Sequence, residues 1–332
     1  MKKYLGILEK IKGKRILVLG DIILDEYLYG ETERISREAP VLILRHNRSA
    51  YLAGGGANPV MNIKALGGIP VPVSVAGVDS HSAILLKLLK EKKVDTSGII
   101  TDSNYSVPVK ARIMAGSVHT VKQQIVRIDR SYQDGLSAKI ESKVAALIRK
   151  LVKSKKVDAI LVSDYGEGVI TDGIIQVVNE IAKAGKKVIV DSRYSLDKFR
   201  SISAATPNET EAGPLVGIEK YTDENVKKIG KQLSGLMRAK GLIITRGSKG
   251  MMVFDKTKVS RIAAVGTEEI VDVSGAGDTV SSIVALCLAA GASLYDAAYL
   301  ANAGGGIVVM ERGVAVVTPK QLKEALKNAE TD

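Results

Sequence analysis

The sequence predicts an α/β protein with a mostly parallel central sheet, and three observations carry that expectation. Short apolar runs alternate with helical patterns from about Ala138 onward, the rhythm of strand–helix–strand units. Each run ends in polar residues, as the strands of an open parallel sheet do on their ligand side. An acidic, glycine-rich turn, Val271-Asp-Val-Ser-Gly-Ala-Gly-Asp-Thr-Val280, leads directly into the small and apolar segment Ser281 to Ala290. That segment reads as a buried helix.

At 332 residues the chain is long enough for two domains, but one α/β domain of this size is ordinary. Hydrophobic residues make up 45% and charged residues 25%, the composition of a globular protein with a sizeable core. The single cysteine, Cys287, falls in the apolar helix and has no internal partner, so a reducing cytoplasm is expected. His46, His81 and His119 are scattered and make no metal-ligand spacing with it, and no structural zinc is expected. Residues Met1 to Lys14 are charged and lack the apolar centre of a signal peptide. No run approaches the roughly 20 charge-free residues that a membrane helix needs. A net charge of +12 raises nucleic acid as a partner, yet the lysines are spread over helix faces such as Lys87-Leu-Leu-Lys-Glu-Lys-Lys93, and aromatics are only 4%. A solvated basic surface that attracts anionic metabolites accounts for the charge better; neither nucleic acid nor membrane is expected as a partner.

Along the chain, Arg15-Ile-Leu-Val-Leu-Gly20 is a nearly continuous apolar run, the pattern of a buried parallel strand that presents Asp21 to a crevice, with Asp25 close behind. Tyr27–Tyr29, Val41–Arg45 and Ser49–Ala53 read as short strands joined by a polar loop, Glu31 to Pro40. Val107–Met114 and Gln124–Asp129 add two more. These pieces lie in two insertions, at about 26–53 and 104–131, within an otherwise single domain. They read as one small sheet outside the α/β body. A thin sheet cannot bury both faces, so it should cover a cleft, pair with a second subunit, or both. Between the insertions, Gly54-Gly-Gly-Ala-Asn58 opens a helix to about Leu66, followed by a strand at Val71–Val75 and a helix from about Ser82 to Lys90. The later strands are Ala159–Ser163, Lys187–Asp191, Ala204–Thr206 and Leu242–Thr245. Their carboxyl ends carry Asp164, Asp191 with Arg193, Asn208, and Arg246 with Gly247.

Gly275 and Gly277 let a ligand approach the main chain, and the first free N–H groups of the following helix make an anion site of backbone. Asp278 stands in that site. It reads either as a helix cap or as a general base, deprotonating a hydroxyl while the turn holds the charge of a transferred phosphoryl group. The triple glycine before Asn58 is a second place of close approach, or a plain helix start; the Asn58 amide can bond sugar hydroxyls. Neither G-x-G-x-x-G nor G-x-x-x-x-G-K-[ST] occurs, so ATP would need another architecture.

These stretches together resemble the PfkB (ribokinase-like) family of carbohydrate kinases from about Lys14 to Pro319. The two signatures are Gly54-Gly55…Asn58 and Asp272-Val-Ser-Gly-Ala-Gly-Asp278-Thr279. Gly20–Asp25, Arg34–Val41, Gln123–Asp129, Leu161–Tyr165, Thr206–Glu209 and Ala301–Ala303 are similar to the family's heptose 7-phosphate kinases. The resemblance implies a ribokinase-like three-layer sandwich with the small β-sheet as a lid and as the contact of a homodimer. It implies an ATP- and Mg²⁺-dependent kinase acting on the anomeric hydroxyl of D-glycero-β-D-manno-heptose 7-phosphate, a lipopolysaccharide precursor, to give the 1,7-bisphosphate. It assigns Asp278 as base, with the Gly275, Ala276 and Gly277 N–H groups as the anion hole. Asp21, Asp25, Gly55 and Asn58 would hold the sugar. Asn208, Thr245, Gly247, Gly277 and Asn302 would hold ATP, and Glu211 of the Asn-x-x-Glu motif would hold Mg²⁺ through water. Asp272 lies where some members bind a monovalent cation such as K⁺.

Two positions depart from the heptose kinase pattern. Glu167 stands where Ser-Asp-Tyr-x-Lys-Gly has lysine, and Asp191-Ser-Arg193 replaces Asp-Pro-Lys. Arg34, Lys110 or Arg193 is then expected to hold the sugar's phosphate. The alternatives are another PfkB kinase, for ribose, fructose or a fructose phosphate, and a catalytically silent sugar- or nucleotide-binding regulator. With the chain ending at Asp332, a cytoplasmic stand-alone kinase is expected.

Overall fold

The computed structural model describes residues 2–116, 121–131, 135–154, 156–256, 258–265, 271–311, 313 and 315–328. Two sheets organise them. The strands of the large sheet are β1 (Arg15–Gly20), β4 (Ile69–Ala76), β5 (Ile99–Thr101), β8 (Ala159–Asp164), β9 (Val188–Ser192), β10 (Ala204–Ala205), β11 (Gly241–Thr245), β12 (Met251–Asp255) and β13 (Lys258–Ile262). The small sheet is formed by β2 (Ile22–Ile35), β3 (Leu42–Gly55), β6 (Val109–Gly116) and β7 (Gln123–Arg130).

The large sheet has the order β13-β12-β11-β10-β9-β8-β1-β4-β5. Every pairing from β11 to β5 is parallel, and β12 and β13 close one edge antiparallel. Its central strands are apolar almost without interruption because helices cover both faces. β1 and β8, for example, are buried from Ile16 to Gly20 and from Ala159 to Asp164. The helix Ala138–Lys153 buries Ile140, Val144 and Ile148, spaced by four, and leaves its lysines outside. Thr171 and Ser137 cap their helices through the side-chain oxygen. The helix Ala276–Ala289 is different. It is buried on nearly all sides from Asp278 to Cys287, so only small and apolar residues fit there. The α/β expectation is borne out.

The second sheet has the order β3-β2-β6-β7 and draws its strands from both segments that the sequence set apart. β2 and β3 are continuous strands of 14 residues each, so the expectation of short strands broken by a Glu31–Pro40 loop is corrected. β2 pairs with β3 through Ile35↔Leu42, taking register shifts at Tyr29/Gly30 and Thr32/Arg34 instead of ending. β5, β12 and β13 were not legible as strands. The first is three residues long, and the last two form an edge hairpin with little alternation. Only Asp21 separates β1 from β2, so the chain passes from one sheet into the other there, with Ile22 paired to Gly55. That junction positions the site.

Candidate active site

A cleft of about 690 Å³ lies between the small sheet and the carboxyl ends of the large one. Asp25, Gly55, Lys110, Arg112 and Arg127 line it from the small sheet, and Tyr165, Asp191 and Arg193 from the loops after β8 and β9. Farther along are Asn208, Glu211, Thr245, Gly247 and Asn302, and the floor is Gly275, Ala276, Gly277 and Asp278. Residues as far apart in the chain as Asp25 and Asn302 thus meet at one crevice.

Gly275 sits at φ 78°, in the left-handed region, and is the N-cap of the helix Ala276–Ala289. This turn brings Gly275, Ala276 and Gly277 to the cleft wall, where the N-terminus of a helix can receive an anion, while Ala276 N donates to Val273 O at 3.3 Å. Asp278 is buried in the first turn, and its side chain does not cap the helix. Instead, Oδ2 accepts from Asn58 Nδ2 and Oδ1 from the Tyr165 hydroxyl, both at 2.8 Å. Burial pushes this carboxyl up to about 7, against the pull of those two hydrogen bonds. Such a group can take a proton near neutral pH.

Asp25 is buried and bonded through Oδ1 to Arg112 Nη1 at 2.6 Å. Gly54 makes room for it: a Cβ there would lie 2.2 Å from Asp25 Oδ2. Lys110 and Arg193 flank the Tyr165 ring, with Lys110 Nζ at 5.1 Å and Arg193 Cζ at 5.5 Å from its centroid. Lys110 is pushed down by burial and by the Arg193 charge. Two cations held near each other at a cleft favour an anion between them. Glu167, by contrast, is not among the cleft-lining residues and accepts from the Ser131 hydroxyl at 3.4 Å.

Asn208 and Glu211 form a reciprocal capping box on the short helix Glu209–Ala212, with Asn208 Oδ1 accepting from Glu211 N and Glu211 Oε2 from Asn208 N. Glu211 Oε1 lies 3.9 Å from Arg193 Nε. Asp191, beside them, is pushed well above the usual carboxylate range by burial and by the charges of Asp278 and Glu211. Among the described residues no cluster of three His, Cys, Asp or Glu side chains could hold a metal ion unaided. His119 lies outside the described residues. The donor set does suit Mg²⁺, which keeps several waters and binds through one or two carboxylates together with substrate phosphates. Asn302 Nδ2 donates to Ala263 O at 2.6 Å, and Thr245 bridges Asn208 in parallel pairing.

Four expected residues stand apart from the cleft walls. Asp21 was expected at the sugar, but its carboxylate is fully buried and accepts from the backbone of Tyr165, Glu167 and Val169. It anchors the loop after β8; burial and nearby Asp164 push it up to about 6. Asn58, also expected at the sugar, is buried with Nδ2 given to Asp278 and Oδ1 accepting from Asn62 Nδ2 at 3.0 Å. In both cases the polar side chain is held by a partner from another element. Arg34 lies exposed far along β2, away from the cleft. Asp272 fastens two loops, accepting from Ser274 N and Gly313 N at 2.9 Å each.

Three further residues of this region went unassigned in the sequence. Tyr165 was visible only as part of a motif. Asn62 links Asn58 to the Thr279 hydroxyl. Arg246, buried, bonds Glu209, Asp223 and the Tyr221 carbonyl, tying the Asn208–Glu211 segment to β11. An arginine at a strand end gives no signal that it is buried.

A doubly wound sheet, a second sheet across its ligand side and a buried aspartate at a glycine-turned helix start define a class. The chain belongs to the pfkB family of carbohydrate kinases, whose pattern matches residues 14–321. It is similar to the bifunctional protein HldE of Geobacter metallireducens, 37% identical over 308 residues, which are 92% of this chain and 61% of that protein. It is also similar to the bifunctional protein HldE of Desulfatibacillum aliphaticivorans, 36% identical over 95% of this chain and 63% of that protein. The chain thus spans less than two thirds of the length of these curated relatives. Escherichia coli phosphofructokinase-2 in complex with potassium shares the fold, with a TM-score of 0.75 at 19% identity over 96% of this chain and 99% of that one. Arabidopsis thaliana ribokinase complexed with ribose and ATP does so at 0.73 and 21%, over 95% and 99%. None of the helices among the described residues is long and apolar enough to cross a membrane.

Proposed function

We propose that this chain is an ATP-dependent kinase that phosphorylates the anomeric hydroxyl of D-glycero-β-D-manno-heptose 7-phosphate, giving the 1,7-bisphosphate and ADP. The observation that carries the reading is Asp278: buried, pushed up to about 7, and placed at the first turn of a helix whose N-terminal residues line the same cleft. Asp278 accepts the proton of the sugar hydroxyl as its oxygen bonds to the γ-phosphorus and the β–γ bridging bond breaks. The Gly275–Gly277 backbone offsets the charge on the moving group. Asp25, held by Arg112, orients the sugar, and Gly55 lets it approach the backbone. Lys110 and Arg193 meet the substrate's own phosphate, replacing the lysine absent at position 167. Asn208, Thr245, Gly247 and Asn302 receive the nucleotide. Glu211 and Asn208 would hold Mg²⁺ through water; bound there, it neutralises charge on the ATP phosphates.

The small sheet acts as a lid that excludes water, which suppresses ATP hydrolysis. Its outer part also exposes Ile35, Leu42, Ile125 and Ile128, an apolar surface suited to a second copy of this chain. Potassium, bound by the E. coli neighbour, would act here near Asp272.

The test is ATP consumption with Mg²⁺ and the heptose phosphate, beside ribose, fructose and fructose 6-phosphate, with Asp278→Asn as control. A preference for the heptose phosphate, with turnover lowered by about 10²-fold or more in the variant, is expected. Turnover with another sugar only would replace the substrate but keep the chemistry. Near-normal Asp278→Asn activity would remove Asp278 as base.

A further inference from the structure

Tyr165 directly follows β8, and three restraints fix it. Its backbone N–H is bonded to Asp21 Oδ2 at 2.9 Å, in the loop that Asp21 also holds at Glu167 and Val169. Lys110 Nζ and Arg193 Cζ lie 5.1 and 5.5 Å from its ring centroid. Its hydroxyl donates to Asp278 Oδ1, while Asn58 donates to Oδ2 from the helix Ala57–Ala65. Each carboxylate oxygen therefore has one donor, and the two donors come from different parts of the fold. Rotation of the carboxylate about Cβ–Cγ would break both bonds.

We propose that Tyr165 is a positioning residue for phosphoryl transfer: its hydroxyl sets the plane of the Asp278 carboxylate and holds it ionised for the acceptor hydroxyl. This rests on the reading of Asp278 as base. The physical reason is that a hydrogen bond to the charged form of an acid favours that form, whereas burial opposes it. Four other groups act on this balance. Asp25 on β2 raises Asp278 and Lys110 on β6 lowers it. Asp191 at the end of β9 is coupled to it by repulsion, and Arg112 on β6 is bonded to Asp25. Asn58 and Tyr165 are its direct hydrogen-bond donors. Tyr165 keeps its own proton throughout, because desolvation and the neighbouring Asp278 push its hydroxyl well above the ordinary tyrosine value. It is therefore a donor and no base.

The Ser-Asp-Tyr-x-Lys-Gly pattern contains this tyrosine, but neither a role for it nor its bond to Asp278 was legible in the sequence. The positioning role also explains a feature that the phosphate-binding role of Lys110 and Arg193 leaves open. The two cations pack against the ring whose far end touches the base, so binding a substrate phosphate between them also restrains the ring.

Tyr165→Phe is the experiment, because it keeps the ring, the cation contacts and the backbone bond to Asp21 and removes one oxygen. Steady-state rates would be measured from about pH 5.5 to 9, in parallel with wild type and Asp278→Asn. The acid limb of kcat should move up by about one pH unit, with kcat at pH 7 falling about fivefold and KM for ATP unchanged. An unmoved limb, with kcat near wild type or lowered equally at all pH values, overturns the proposal while an inactive Asp278→Asn leaves the base assignment standing. Retained turnover in Asp278→Asn overturns both.

Discussion

Replacing Gly54 by alanine asks whether the Asp25 carboxylate must sit where it does. The added Cβ would stand 2.2 Å from Asp25 Oδ2 and 2.7 Å from its Cγ. Non-bonded carbons pack at about 3.5 Å or more, so the carboxylate has to retreat by about 1 Å. It cannot do so without stretching the 2.6 Å bond from Arg112 to Oδ1 or changing rotamer. Neither β2 nor β3 can slide to relieve the clash, because Ile23 pairs with Gly54 within a long ladder. Overpacking of this kind costs about 1–3 kcal/mol of stability, and a misplacement of about 1 Å at a substrate-positioning group costs about 10²-fold in rate. Gly54→Ala should therefore remain folded, with Tm lowered by a few degrees, and lose about 10²-fold in kcat/KM for the sugar. KM for ATP should stay within about twofold, since the residues proposed for the nucleotide lie outside the small sheet. The assay is coupled ATP turnover with sugar and ATP varied separately, alongside thermal unfolding. Gly6→Ala is the control: Gly6 is exposed in the helix Lys2–Lys10, with nothing within 4 Å of an added Cβ. It should stabilise the chain by up to about 1 kcal/mol. Wild-type sugar kinetics in Gly54→Ala would refute the placement of Asp25 at the sugar.

Two further outcomes follow from the buried charges. Because folding raises the Asp278 pKa from 3.8 to about 7, the native state favours the protonated acid. The resulting cost is absent below pH 3.8, grows between these values and is full above about 7. Asp278→Asn should thus raise Tm relative to wild type at pH 8.5, by the equivalent of about 1–4 kcal/mol, and lose that advantage toward pH 4. A Tm difference constant with pH would contradict the desolvation of Asp278. Arg246→Met removes a buried guanidinium from Glu209, Asp223 and the Tyr221 carbonyl. Chemical denaturation should report a loss of about 2–4 kcal/mol, and KM for ATP should rise as the Asn208–Glu211 helix loosens; an unchanged KM would separate this anchor from the nucleotide site.

The alternation of the central strands with helices, the parallel character of the large sheet and the glycine-turned start of the helix at Ala276 were legible in the chain. These are properties of local pattern. A strand buried on both faces has to be an apolar run, as at Ala159–Asp164, and a left-handed cap has to be glycine, as at Gly275. Asn208, which lines the cleft just past a strand end, was picked out by the same kind of local pattern.

What a polar side chain bonds to is a different kind of fact. Asn58 and Asp21 lie in the stretches read as approaching the sugar, and their bonds to Asp278 and to the loop after β8 could not be read from those stretches. Tyr165 reaches the base across 113 positions of sequence, and Arg246 reaches Asp223 across 23. Arg34 was placed near the substrate by its charge and ended on an exposed strand instead, because the continuous β2 carries it past the cleft. Such pairings depend on the angle and distance between elements that meet only after folding. Periodicity along the chain encodes which face a residue turns inward, and the packed layers decide which partner waits there.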